Sequence, residues 1–273
     1  MSFAHVNGIN ICYEIHGKGY PVILIPGFSC KKEIFRAQVG ALSEEFKTIL
    51  FDNRGTGKSD RPDVPHTMEM LAEDVRGLLD FLAFKKANII GWAFGGMIAQ
   101  HFVLKYPERV NKLVLWAANY KGTGIEDLTQ QTIKGLELRK KLPEKYFWRS
   151  SRLVFFHKFR KEMEANPSKK FHGLWSVEDL IKDNTIDPPT PKDIENQAHA
   201  IAGHNTLERL HEITNETLLF GASHERICPV SILKEMNKRI PNSKLKIIQK
   251  AGHYCLLSKA PEANQILIEF LKE

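Results

Sequence analysis

The segment Ala87-Asn88-Ile89-Ile90-Gly91-Trp92-Ala93-Phe94-Gly95-Gly96-Met97-Ile98-Ala99 constrains this chain more than any other. An apolar run of the kind that forms a strand passes, across a glycine-flanked turn, into an apolar stretch that reads as a helix. So abrupt a change of direction holds the central residue in a sparsely populated backbone conformation and demands small neighbours. Gly91 and Gly95 stand two positions either side of Ala93, and Gly96 adds a small residue where the helix must approach the sheet. By itself this pattern is compatible with a tight βα turn that carries no chemistry.

The rest of the chain extends the pattern. Phe3 to Val6 and Ile9 to Ile15, joined by Asn7-Gly8, read as an opening hairpin. Val22 to Ile25 is a continuous apolar run suited to a strand covered on both faces. Thr48 to Phe51, Ala87 to Ile90 and Lys112 to Trp116 are further strands, with helical spacing around Ile34 to Leu42 and Met68 to Phe84. Thr217 to Phe220 and Lys244 to Ile248 resume the series, with helices around Val230 to Lys238 and Pro261 to Leu271. The expected class is α/β: a mostly parallel sheet with helices on both faces. From about Asn119 to Gly203 the strand signal vanishes, and apolar residues at helical spacing are interrupted at Pro143, Pro167 and Pro188-Pro189. This predicts a helical cap over 119–203, inserted between late strands of a core made of 1–118 and 204–273.

Composition narrows the function. The chain has 273 residues and a formal charge of +7, carried by lysines scattered along its length without a nucleic-acid recognition motif, so no nucleic-acid partner is expected. No stretch approaches 18 consecutive apolar residues, and Met1 to Tyr20 lacks an apolar signal core. The expectation is a cytoplasmic protein with no membrane partner. Cys12, Cys30, Cys228 and Cys255 have no metal-ligand spacing, so no metal or organic cofactor is expected and the thiols read as structural. Asn215-Glu216-Thr217 matches a glycosylation sequon and, without a secretory signal, reads as chance.

In open α/β sheets ligands bind beyond the carboxyl ends of the strands. After Val22 to Ile25 comes Pro26-Gly27-Phe28-Ser29, where Gly27 permits close backbone approach at the substrate pocket and the Phe28 N–H is a free donor. After Ala87 to Ile90 comes the turn, where the Phe94 N–H opens a helix. These two amides are candidates for an oxyanion hole. After Thr217 to Phe220 comes a loop with His224 and Glu225, and after Lys244 to Ile248 a loop with His253. A carboxylate and an imidazole in that order, following a G-x-S-x-G turn, would complete a nucleophile, acid, histidine triad. Here Ala93 occupies the serine's place. Trp92 and Phe28 flank the site and favour an apolar acyl or alcohol portion.

Taken together, the Pro26-Gly27-Phe28 loop, Asp52-Asn53-Arg54-Gly55-Thr56-Gly57-Lys58-Ser59-Asp60, the turn, Tyr106-Pro107-Glu108-Arg109 and Ala251-Gly252-His253 resemble the α/β-hydrolase fold superfamily over essentially the whole chain. Within it the chain is similar to small capped esterases and lactonases typified by 3-oxoadipate enol-lactonase. The resemblance implies hydrolysis of a small-molecule ester, thioester or lactone through an acyl-enzyme, with His253 as base. Such families carry His-Gly in the oxyanion loop, and here position 26 is proline. Their acid is usually an aspartate three residues after a glycine and four before a proline. The first count falls on His224, the second on Glu225, and Glu225 is taken as the acid. Ala93 is what an engineered substrate-trapping Ser→Ala variant would carry. The alternatives are a His/acid general-base enzyme of dioxygenase or lyase type, and a ligand-binding pseudoenzyme.

Overall fold

The computed structural model describes residues 1–122 and 124–273. β1 (Ser2–Val6) and β2 (Ile9–His16) form the hairpin, with Asn7 at φ 50° and Gly8 at φ 74°. Two successive positive φ angles are what a two-residue turn needs to match the twist of its strands. Then follow β3 (Pro21–Ile25), α1 (Arg36–Glu45), β4 (Lys47–Phe51), α2 (Met68–Phe81), β5 (Ala87–Trp92), α3 (Phe94–Lys105) and β6 (Val110–Trp116). A purely helical stretch comes next: α4 (Ile125–Lys141), α5 (Pro143–Val154), α6 (His157–Ala165), α7 (Val177–Thr185) and α8 (Pro191–Ala202). The chain returns to the sheet with β7 (Glu216–Ala222), α9 (Val230–Arg239), β8 (Ser243–Ile248), α10 (Cys255–Ser258) and α11 (Ala260–Lys272).

Among the described residues the strands make one sheet in the order β1-β2-β4-β3-β5-β6-β7-β8. The β1/β2 and β2/β4 pairs are antiparallel and the remaining pairs parallel. Every residue of β3 and β5 is buried, which explains why these central strands read as unbroken apolar runs. At the edge, β8 alternates with exposed Lys244 and Lys246, a charged rim that discourages pairing with another chain.

The order of strands locates the crevice. From β3 the chain moves through α1 to β4 on one side, and from β5 it moves through α3 to β6 on the other. Right-handed crossovers in opposite directions put α1 and α3 on opposite faces of the sheet. A gap therefore opens beyond the carboxyl ends of β3 and β5, where ligands bind in such sheets.

In the helical stretch, Pro143, Pro167 and Pro188-Pro189 interrupt the helices as read from the sequence, and Pro191 is a further helix start that the reading did not name. Pro143 begins α5, Pro191 begins α8, and Pro167 and Pro188-Pro189 lie in the links. Ser176 and Thr190 start α7 and α8 with capping boxes, each accepting from an aspartate amide three residues on. Phe155, Phe159, Phe171 and Trp175 stack on one another with centroids 5.0–6.1 Å apart. Trp175 Nε1 donates to the Leu257 carbonyl at 3.1 Å, which ties this cluster to α10. The short antiparallel bridge Phe171 to Trp175 inside this region has no counterpart in the sequence reading.

Candidate active site

The loops beyond the strands are held in register by the backbone itself. Ala93 N donates to Trp116 O (2.8 Å), Ala117 N to Phe220 O (2.7 Å), Ser223 N to Ile248 O (2.9 Å) and His224 N to Ala251 O (2.9 Å). The parallel ladder thus runs at least one rung past the strand ends, and it carries the turn, the acid loop and the histidine loop side by side.

At the turn, Ala93 has φ 52° and ψ −114°, a conformation that costs an L-residue about 1–3 kcal/mol. The glycines around it are required by contact. A Cβ on Gly91 would lie 2.3 Å from Gly95 O, one on Gly95 2.0 Å from Ile25 O, and one on Gly96 2.4 Å from Ala118 Cβ. These are backbone and sheet atoms that cannot swing away. The strain directs the Ala93 side chain into a cavity of about 420 Å³, whose wall also includes Phe28, Trp92, Phe94, Met97, His253 and Tyr254.

His253 Nδ1 lies 2.8 Å from Glu225 Oε2, with both side chains buried. A carboxylate oxygen can only accept, so the proton sits on Nδ1 and Nε2 is left as the basic nitrogen. Glu225 Oε1 is engaged separately, accepting from the amides of Ile227 (2.8 Å) and Cys228 (3.3 Å). Burial pushes the Glu225 carboxyl up, but His253 and the two amides outweigh it and hold it below its ordinary value. His224, the competing position, is exposed: it packs on Phe156, with ring centroids 4.5 Å apart. The extra residue in this loop goes outward, and the glutamate reaches the imidazole.

The Trp92 ring lies against His253, centroids 4.8 Å apart, and is only 1% exposed. It is a floor under the imidazole as much as a cavity wall. Gly27 departs from its expected place, since it is buried and does not line the cavity. A Cβ there would sit 2.7 Å from the Trp92 ring, so the close approach it allows is to that indole. Residues 27–30 form a tight turn closed by Cys30 N to Gly27 O (3.2 Å), with Ser29 at φ 57°. Among the described residues neither the Phe28 nor the Phe94 amide donates to another protein group. Phe28 and Phe94 meet edge to face, centroids 6.3 Å apart. Pro26 costs this arrangement nothing, because its contribution is a carbonyl that accepts from Asn53 Nδ2 at 3.2 Å.

The thiols are kept neutral. Burial pushes Cys30 up to about 11 and Cys255 up to about 12, and raises Cys228 well above its usual value. Among the described residues no cluster of His, Cys, Asp or Glu could hold a metal ion, and no helix is long and apolar enough to cross a membrane.

A model of the alpha/beta hydrolase fold matches residues 20–260. The chain belongs to the α/β-hydrolase family. Among curated relatives it is 26% identical over 261 residues to a poly(3-hydroxyalkanoate) depolymerase of Ectopseudomonas oleovorans, covering 93% of this chain and 84% of that one. It is 25% identical over 273 residues to a 2-hydroxy-6-oxo-6-phenylhexa-2,4-dienoate hydrolase of Comamonas testosteroni, covering 96% and 91%. The crystal structure of the enol-lactonase from Burkholderia xenovorans superposes over 100% of both chains with a TM-score of 0.86 at 21% identity, a likeness of fold.

Several residues of this α/β-hydrolase site were not singled out by the sequence. Gln197 on α8 accepts from Ser29 N (2.9 Å) and donates to Arg54 O (3.2 Å), so a helix far along the chain clamps the Phe28 loop. Nothing local marks that glutamine. Asn53, Arg54 and Asp52 did carry a signal, because they stand in the quoted Asp52 to Asp60 segment. Their work is structural: Asp52 accepts from the Lys32 and Lys58 amides, and Arg54 pairs with buried Asp74 through two 2.6 Å bonds. On α4 and α5 the cavity wall carries Leu128, Leu138 and Leu153 with Arg139, Tyr146 and Arg149, and the polar Gln131, Thr132 and Ser150 between them. The cap phenylalanines and Trp175 lie outside its wall.

Proposed function

We propose that this α/β-hydrolase is built for acyl transfer on a carboxylic ester, thioester or lactone, and that Ala93 marks the place of its nucleophile. The observation that carries the reading is a strained position 93 on the wall of the same cavity as a buried His253–Glu225 pair at 2.8 Å. In a serine form, the hydroxyl at 93 attacks the carbonyl and His253 Nε2 takes its proton. Glu225 keeps the other ring nitrogen protonated and stabilises the imidazolium. The Phe28 and Phe94 amides receive the developing oxyanion, the second at the start of a helix where the dipole favours negative charge. Water, activated by the same imidazole, then releases the acid. With alanine at 93 the binding surfaces remain and the attacking oxygen is missing, so this chain retains ligands that it does not turn over. The proposal includes a core of 1–118 and 204–273 under a cap of 119–203.

The test is Ala93→Ser, assayed with short p-nitrophenyl esters. Turnover is expected to rise by up to about a millionfold, the loss seen when a triad serine is removed. A folded serine variant with no gain would overturn acyl transfer. That result would favour the second reading, in which the intact His253–Glu225 pair acts alone as a general base, as the low Glu225 pKa permits.

A further inference from the structure

Gln197, in the second turn of α8, is 1% exposed and bonded at both ends of its amide. Oε1 accepts from Ser29 N at 2.9 Å and Nε2 donates to Arg54 O at 3.2 Å, so a backbone donor and a backbone acceptor fix which way the group faces. Among the described residues no other protein group accepts from the Ser29 amide. Ser29 stands at φ 57°, a left-handed conformation that a residue with a side chain keeps only when its surroundings hold it there. The residue before it is Phe28, whose amide has no protein acceptor among the described residues. The hydrogen bond from α8 therefore holds the strained residue next to a proposed oxyanion donor.

The helix itself does not depend on this bond. Arg61 pairs with Asp193 at 3.0 Å, His66 N donates to Asn196 O at 3.1 Å, and His199 Nδ1 donates to His66 O at 2.9 Å. These contacts fasten α8 to the segment after β4 whether or not residue 197 carries an amide. Ile201, four positions on and so on the same face as Gln197, is part of the wall of the cavity of about 420 Å³. One face of one helix thus meets both the contents of the cavity and the loop that carries the Phe28 amide.

We infer that Gln197 is a positioning residue, through which a compound that packs on Ile201 sets the Phe28 amide for the oxyanion. The inference rests on the acyl-transfer reading, in which that amide receives the carbonyl oxygen. It adds a substrate class: esters and thioesters with an apolar chain long enough to reach Ile201, whose remote contact raises kcat as well as affinity. A compound too short to touch Ile201 gains none of this ordering.

The first test uses the chain as it stands and follows the backbone amide resonances of Phe28 and Phe94 during titration with sodium octanoate, an acid product whose carboxylate can accept from both. Both amide protons are expected to move downfield. Gln197→Met keeps the length and removes the acceptor; it should cut the Phe28 movement at least about threefold, while the Phe94 movement and the octanoate Kd stay within about twofold. Gln197→Glu keeps an acceptor for Ser29 N and should restore the movement. Gln197→Asn withdraws the acceptor by one carbon and serves the same comparison should the methionine variant fail to fold. A Phe28 resonance that stays still in the unsubstituted chain, or moves undiminished in the methionine and asparagine variants, overturns the inference. So does an equal loss at Phe28 and Phe94, the mark of a merely structural role. In the Ala93→Ser background, Gln197→Met should lower kcat for p-nitrophenyl octanoate about a hundredfold with KM within about threefold, and abolish the rise in kcat from acetate to octanoate. If Ala93→Ser hydrolyses neither ester while the Gln197-dependent Phe28 movement stands, the catalytic reading falls and the positioning survives. If it hydrolyses both and Gln197→Met leaves kcat unchanged, the positioning falls alone.

Discussion

His253 and His204 are both buried, one in the loop beyond β8 and the other where the chain leaves α8 to rejoin the core, yet only the first has a carboxylate on its ring. His204 Nε2 faces the Asn119 carbonyl at 3.0 Å and must donate to it, so its Nδ1 accepts from His101 Nε2 at 3.1 Å. His204 is therefore neutral, since a proton on its Nδ1 would set donor against donor across this contact. Burial drives His204 down to about 4. His253 is buried as well, but Glu225 Oε2 accepts from its Nδ1 at 2.8 Å and leaves Nε2 with a free lone pair. The difference teaches that burial by itself makes a histidine a packing unit, and a backing carboxylate makes it a base.

The largest expected effect breaks the comparison at its centre. With Ala93→Ser as the active background, His253→Ala should lower kcat by about a millionfold, whereas His204→Gln should change it by less than about tenfold. Equal losses in single-turnover measurements would remove the distinction between the two regions. Next, Glu225→Gln in the same background should cost about 10⁴-fold in kcat, because an amide no longer enforces the Nδ1–H tautomer. A loss under tenfold would mean that another group orients His253.

The frame behind His253 is tested by Gly95→Ala, which places a Cβ 2.0 Å from Ile25 O and should cost about 3 kcal/mol, read as a shifted urea midpoint. Retention of full stability would show that the turn is not locked as described. The smallest effect sharpens the other half. His204 and His66, both near 4 when folded, titrate near 6.5 when unfolded. Between those values the unfolded chain binds more protons, so stability is lost as pH falls from about 6.5 toward 4, with a limiting slope of about 1.4 kcal/mol per pH unit for each histidine. Unfolding free energies measured across that range should flatten in His204→Gln.

Much of the fold was legible because its signals are local. Asn7-Gly8, the apolar runs of β3 and β5, the glycines around Ala93 and the proline that starts α5 each act through their own backbone or immediate neighbours. The acid was legible only as a choice between adjacent residues, and tertiary packing made it: His224 turns out onto Phe156 and Glu225 turns in to His253. Gly27 was read as close approach to a ligand, and the contact proved to be with Trp92, a partner 65 positions away that no spacing reveals.

By itself the sequence determined the alternation of strand and helix, the strained turn at Ala93, and the missing oxygen there, because these depend on what each residue is and on those beside it. Only the tertiary structure decided that Gln197 clamps the Phe28 loop, that Trp92 floors His253, and that Arg139 is buried beside Tyr146 and Tyr254 without a carboxylate. Contacts of that kind join residues far apart in the chain, and their energies come from burial and charge compensation, which exist only once the sheet and the helices between β6 and β7 have packed together.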